Sequence, residues 1–307
     1  MHVISASRRT DIPAFHSEWL MNRIREGFAR VSSPFGGGVF DVSLAPQDVI
    51  AIVFWTKDAA PLMPYLHELS DRGHCFTFLY TINNYPRFLE PRVPELGHTL
   101  KVVKELVRRY GNSVFRWRYD TIVLTEAIDR LWHARNFRLL CDALAPYTQE
   151  CIFSFCDYYK KTMKSMERAA PDYRMPNETE CLEIAEELAG VAGKTGVAMS
   201  SCAHDFLVSG VIGKAHCIDA GFLGAVVDTP DRYEALKMLK IAPTRKECGC
   251  SGSRDIGAYN TCGHGCVYCY ANSDPQLALK NLSHIAGDSV SLEVGSVRKA
   301  SATSARG

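Results

Sequence analysis

Short apolar runs rich in β-branched and aromatic residues recur along the chain, at 2–6, 49–55, 75–81, 114–119, 152–156 and 197–201. Their length and composition predict strands, and a run such as VIAIVFW, apolar at every position, suits a strand covered on both faces. Between them lie segments of helical period. The clearest, GHTLKVVKELVRRY, sets Leu96, Leu100, Val103, Val107 and Tyr110 in one stripe; others cover 16–28, 126–147, 178–192, 232–241 and 275–285. The alternation predicts repeated βα units joined by right-handed crossovers, hence an α/β fold built as a full or partial TIM-like βα barrel. Weaker runs at 222–227 and 256–260 are further strand candidates. The segment 32–46, which holds Gly36, Gly37 and Gly38, reads as a loop or small hairpin, and KDAAPLMPYLHELSD as a surface helix. The expected organisation is one domain over 1–286, with barrel elements to 245 and a cysteine-rich unit over 246–286. The small polar residues of 287–307 predict a flexible tail.

At 307 residues and 47% hydrophobic, the chain supports a sizeable core. Its 35 basic and 34 acidic residues leave a net charge of +1, so no global field attracts nucleic acid or an anionic membrane. No secretory leader and no long uncharged apolar stretch is visible, which predicts a cytoplasmic protein without a membrane span. Twelve cysteines are poorly explained by disulfides in that compartment. Cys75, Cys141, Cys151, Cys156 and Cys181 lie among apolar residues and read as buried small hydrophobes. Cys248, Cys250, Cys262, Cys266 and Cys269 fall close together and need a chemical explanation.

The segment TCGHGCVYCYAN gives Cys262, Cys266 and Cys269 a CxxxCxxC spacing, with Tyr268 just before the last cysteine. Three thiolates on one short loop suit three irons of a [4Fe-4S] cubane, leaving the fourth iron open to a small molecule. Gly263 and Gly265 let such a loop fold tightly. The competing reading is zinc, with Cys250 or His264 as a fourth ligand. Cys202, Cys217, Cys248 and Cys250 are enough for a second [4Fe-4S] cluster or a zinc. In a βα barrel the chemistry lies at the C-terminal strand ends. That points to Ser5, Ser7, Arg8, Arg9, Thr10 and Asp11 after the first strand, to Lys57 after FWT, and to VFRWRYDTI, where Arg116, Arg118 and Asp120 share one face. Arg118 could clamp a carboxylate or phosphate; the competing readings are a structural ion pair for the Arg and Asp groups and a solvated rim lysine for Lys57. AGKTG at 192–196 lacks the spacing of a phosphate loop, and His98, His133 and His216 lack the pairing of a zinc hydrolase.

The CxxxCxxC loop resembles that of radical SAM enzymes. The resemblance implies a [4Fe-4S] cluster on Cys262, Cys266 and Cys269 and S-adenosylmethionine as co-substrate. It further implies adenine against Tyr268 and cofactor contacts from Arg8 and Asp11; Lys57, Arg118 and Asp120 are the catalytic candidates on the ground of their strand-end positions. An electron donor of ferredoxin or flavodoxin type follows as partner. Those enzymes carry the motif after their first strand, whereas here it lies near the C-terminus, as a circular permutation of the barrel would place it. Over nearly its whole length the chain resembles a bacterial family of unknown function marked by SASRRTDIP, FWTK, RYD and CGCxxSxDIGxYxTCxHGCxYCYAN, and more distantly the spore photoproduct lyase-like radical SAM proteins. Two other readings stay open: a non-catalytic zinc or iron-sulfur protein, and an S-adenosylmethionine-dependent transferase that forms no adenosyl radical.

Overall fold

The computed structural model describes residues 1–33 and 38–294. Its strands are β1 (His2–Ala6), β2 (Phe28–Ser32), β3 (Val39–Ser43), β4 (Val49–Thr56), β5 (Phe76–Thr81), β6 (Phe115–Ile122), β7 (Glu150–Phe155), β8 (Ala198–Ser201), β9 (Ile212–Lys214) and β10 (Arg254–Asp255). Eight of them make one parallel sheet in the order β10-β1-β4-β5-β6-β7-β8-β9, while β2 and β3 form a separate antiparallel hairpin. The hairpin falls where a loop or hairpin was expected, although residues 34–37 lie outside the described part.

From β1 to β9 the sheet adds its strands in chain order, so crossovers of one hand all lie on one face. The helices there present Trp19, Leu20, Leu66, Val103, Leu106, Phe137, Leu140, Ile184 and Leu188 to Ile4, Phe54, Phe78, Trp117 and Phe153 of the strands. Among the described residues β9 and β10 share no ladder, so the sheet stays open and no closed TIM barrel is formed. Its other face carries Val3, Val53, Trp55, Leu79 and Ile152 and is covered by residues 202–250, through Ile218, Leu223, Val227, Leu236 and four cysteines.

Helix limits follow local chemistry. Asp129 accepts from the Trp132 amide at the head of Arg130–Leu144, Asn177 from Glu180 at Glu178–Gly193, and Asp274 from Gln276 and Leu277 at Pro275–Leu282. In Leu96–Tyr110 the buried face is Thr99, Val102, Val103 and Leu106, with Leu96, Leu100, Val107 and Tyr110 along its margins. Three expectations need correction. Residues 222–227 are not a strand: Asp219 caps a short helix, Ala220–Leu223, and Leu223 and Val227, four apart, enter the core together. The strand sought at 256–260 is instead β10, two residues upstream. The tail expected from 287 begins as packed chain: the Trp19 indole donates to Ser289 O at 2.8 Å, Arg30 N to Val290 O at 2.9 Å, and Leu292 is buried. The rest of that expectation, 295–307, lies outside the described residues.

Among the described residues no helix is long and apolar enough to cross a membrane.

Candidate metal centre

The cysteine loop leaves the C-terminal end of β10, beside β1, through the register Ile4 to Arg254 and Ser5 to Asp255. Asp255 fixes that junction. Its carboxylate accepts from Ser5 Oγ at 2.8 Å, Ser7 Oγ at 2.6 Å, Arg8 N at 2.8 Å, Arg9 Nε at 3.1 Å and Gly257 N at 3.0 Å. These bonds hold the carboxyl below its ordinary range although burial alone would raise it. Ser5, Ser7 and Arg9 therefore serve the junction between the chain's two ends.

Backbone contacts pin the loop itself. Asn272 Nδ2 donates to Cys262 O at 2.9 Å, Val267 N to Leu89 O at 3.0 Å, Arg92 N to His264 O at 3.2 Å and His16 Nε2 pairs with Thr261 O at 3.0 Å. Gly265 has φ +71, and a Cβ there would meet the Arg92 guanidinium; a Cβ on Gly263 would strike the Phe15 ring at 2.6 Å. Asp11 holds the loop from below: His264 Nε2 approaches it at 2.8 Å, Thr56 Oγ1 and Lys57 N at 2.7 Å, and Ala14 N at 3.0 Å. With both oxygens engaged by protein groups, Asp11 positions the cysteine loop and does not present its carboxylate to a ligand. Cys262, Cys266 and Cys269 are each partly exposed. Burial pushes the Cys262 and Cys266 thiols up, and Lys57 draws Cys266 back. Among the described residues no group of three His, Cys, Asp or Glu side chains already forms a metal shell.

One wall of the site comes from β4, β5 and the segment after β5. The Lys57 ammonium reaches Glu90 Oε1 at 2.8 Å; burial would lower its pKa, but Glu90 outweighs this and keeps it above the ordinary lysine value. The same Glu90 oxygen accepts from Asn83 Nδ2 at 3.1 Å and from the Tyr268 hydroxyl. Asn83 Nδ2 also reaches Tyr268 OH and Asp120 O, each at 3.0 Å, and its Oδ1 accepts from Asp120 N at 2.9 Å. Tyr268 is thus keyed by its hydroxyl, its ring edge-on to Tyr85 at 5.9 Å and 5.7 Å from Lys57 Nζ. A cleft of about 260 Å³ adjoins this wall and includes Lys57, Asn83, Tyr85 and Glu90.

A second cluster lies on the opposite sheet face, the one covered by residues 202–250. Arg118 pairs with Asp120 at 2.6 Å, and Asp120 accepts from the Ser154 hydroxyl. Burial would raise the Asp120 carboxyl; Arg118 and Ser154 together hold it below its ordinary range. The Trp55 ring lies 4.7 Å from the Arg8 guanidinium carbon and 5.0 Å from that of Arg118. Arg116, on the same face, is committed elsewhere, to Glu150 and to His216 O at 2.9 Å. Cys202 Sγ and Cys217 Sγ stand 3.7 Å apart.

A family model described as a domain of unknown function, DUF1848, matches residues 3–271. The chain belongs to the DUF1848 family. No curated protein matches this DUF1848 chain. One solved structure, from work on inhibition of the pneumococcal virulence factor StrH and on N-glycan recognition and hydrolysis, aligns over 76% of this chain and 62% of its own, at 10% identity and a TM-score of 0.26. That likeness carries no argument.

The fold of this DUF1848 chain brings Lys57, Asp11 and Tyr268 to the cysteine loop and places Arg8, Arg118 and Asp120 together around Trp55. Glu90, Asn83, Trp55 and Asp255 are the members that sequence reasoning missed, and His264, read as a possible zinc ligand, is instead bound to Asp11. Asn83 stands just past the end of β5, and that strand-end position was the available signal for it; Glu90 lies further along the same connection, and Asp255 precedes the cysteine segment, in the DIG of the C-terminal block.

Proposed function

We propose that this DUF1848 protein is a radical SAM enzyme on a permuted, partial βα barrel. The observation that carries the reading is the CxxxCxxC loop on the C-terminal edge of a parallel sheet, issuing from a strand that pairs with β1. A strand, a cysteine loop and a helix in that place stand where the first βα unit of an unpermuted barrel would stand.

The donor set fits a [4Fe-4S] cluster: three thiols sit on one loop whose turn only glycine makes, and His264, the nearest candidate for a fourth ligand, is bound to Asp11. When bound, the cluster would supply the electron, taken from a ferredoxin- or flavodoxin-type donor, that breaks the sulfonium of S-adenosylmethionine into methionine and a 5′-deoxyadenosyl radical. Cys262, Cys266 and Cys269 would hold it, releasing thiol protons as they bind. Asp11 orients the loop through His264, leaving Arg8, with one N–H unpaired, as the polar contact from the β1 loop. Lys57, held charged by Glu90, lies electrostatically close to Cys266 and offers a cation for a carboxylate. Tyr268 closes that wall with its hydroxyl anchored, and its ring is the surface for adenine. Arg118 and Asp120 would face the substrate, which the adjacent strand-end loops select.

Protein prepared without oxygen and reduced with dithionite is expected to convert S-adenosylmethionine to 5′-deoxyadenosine, and Cys262→Ala, Cys266→Ala or Cys269→Ala to abolish this. Undiminished formation by Cys266→Ala would overturn the reading, and S-adenosylhomocysteine or methylthioadenosine as product would replace it with a transferase.

A further inference from the structure

Cys202, Cys217, Cys248 and Cys250 are all buried on the sheet face covered by residues 202–250, and they arrive there from three separate segments: the end of β8, the chain after β9, and the KECGC turn. The Cys202 and Cys217 sulfurs are 3.7 Å apart, Cys250 interacts electrostatically with both Cys217 and Cys248, and Thr244 Oγ1 lies 3.7 Å from Cys248 Sγ. The four thiols thus belong to one buried cluster.

Their surroundings are cationic and short of acceptors. The Arg245 Nη2 lies 3.6 Å from Cys202 Sγ, Arg118 acts on both Cys202 and Cys217, and Arg8 acts on Cys250. Buried among these groups, Arg118 Nε and Trp55 Nε1 have no hydrogen-bond partner. Buried N–H groups left unpaired are costly, and neutral thiols offer them only weak acceptors. Four thiolates around a dication present a ring of charged sulfur acceptors, which answers that deficit.

We infer that these four cysteines form a closed tetrathiolate site for a single zinc ion, separate from the CxxxCxxC loop. A zinc–sulfur bond of about 2.3 Å gives a tetrahedral sulfur–sulfur edge of about 3.8 Å, and the Cys202–Cys217 separation of 3.7 Å matches it. A cubane assigns each thiolate its own iron and spreads the sulfurs well beyond contact. Zinc binding releases the thiol protons and draws the remaining sulfurs into the shell. With every position taken by protein, such a metal binds no substrate. It fastens β8, β9 and the KECGC turn to the strand face that carries Arg118, so it is a positioning element for the site beside it.

The test is metal and sulfide analysis of the full chain, made in medium holding both iron and zinc. About one zinc per chain is expected in the wild type and in the Cys262→Ala/Cys266→Ala/Cys269→Ala variant, the latter free of iron; Cys250→Ser should lose the zinc. Cobalt(II) taken up by the triple variant should show the intense visible bands of a tetrahedral thiolate site, and this readout needs no Cys250 variant to fold. A wild type without zinc, zinc retained by Cys250→Ser, or iron with sulfide in the triple variant would each overturn the inference. Loss of 5′-deoxyadenosine formation with this zinc intact would count against the radical reading alone.

Discussion

β6 serves two environments. Phe115, Trp117 and Tyr119 point into the helix-covered core, where Trp117 stacks on Phe137 with centroids 5.1 Å apart and donates to Ile82 O at 3.0 Å. One residue out of step, Arg116, Arg118 and Asp120 face arginines, carboxylates and thiols. The first face is apolar and its hydrogen bonds close on the protein; the second leaves donors such as Arg118 Nε unpaired. A period of two in one strand thus separates the residues that hold the fold from those available for chemistry.

The comparison breaks most severely at Trp117. Trp117→Ala leaves a large hole among buried aromatic rings and should cost about 4 kcal/mol, read by urea denaturation. A loss below that of any Arg118 substitution would mean that the two faces carry equal structural weight.

The faces should also separate by pH. On the helix side His133 is buried between Tyr119 OH at 2.7 Å and Val123 O at 3.0 Å, and burial brings its pKa down to about 4. Between the ordinary histidine value and about 4 the unfolded chain binds a proton that the folded chain refuses. Stability should therefore fall as pH drops through that window, by up to about 3 kcal/mol, and His133→Gln should flatten the fall. Asp120, on the other face, has a depressed pKa. Its contribution is complete above the ordinary aspartate value of about 3.9 and is lost only below it, as pH falls through the folded value. Equal slopes for wild type and His133→Gln would remove the histidine from this account.

The smallest effect sharpens the chemical face. Arg118→Met strands the half-buried Asp120 carboxylate and should cost about 2 kcal/mol, partial exposure of the pair having been allowed for. Arg118→Met/Asp120→Leu should recover most of that loss without restoring activity. A double variant as unstable as the sum of the single ones would show that Arg118 is held by other partners.

Much of this was legible in the chain. The buried strands β1, β4, β5, β6, β7 and β8 announced themselves because they are apolar on both faces or alternate strictly, as VIAIVFWT and FRWRYDTI do. β9 and β10 are three and two residues long and carry no period to detect. Lys160–Ala169 was missed because only Thr162 and Met166 of its ten residues are buried. Within the site, cysteine spacing is local and could be read. The bonds from Glu90 to Lys57 and Tyr268, and from Asp11 to His264, join residues 33, 178 and 253 positions apart, and no window of sequence contains them.

The Asp255 junction also sets an order of events during synthesis. The edge of β1 that will accept β10 is synthesised about 250 residues before its partner. At about 5–20 residues per second, that edge waits tens of seconds with its backbone groups unpaired. A nascent chain halted before Asp255 would hold a nearly complete sheet with one open, apolar margin, and chaperone capture or mispairing should concentrate there until β10 emerges.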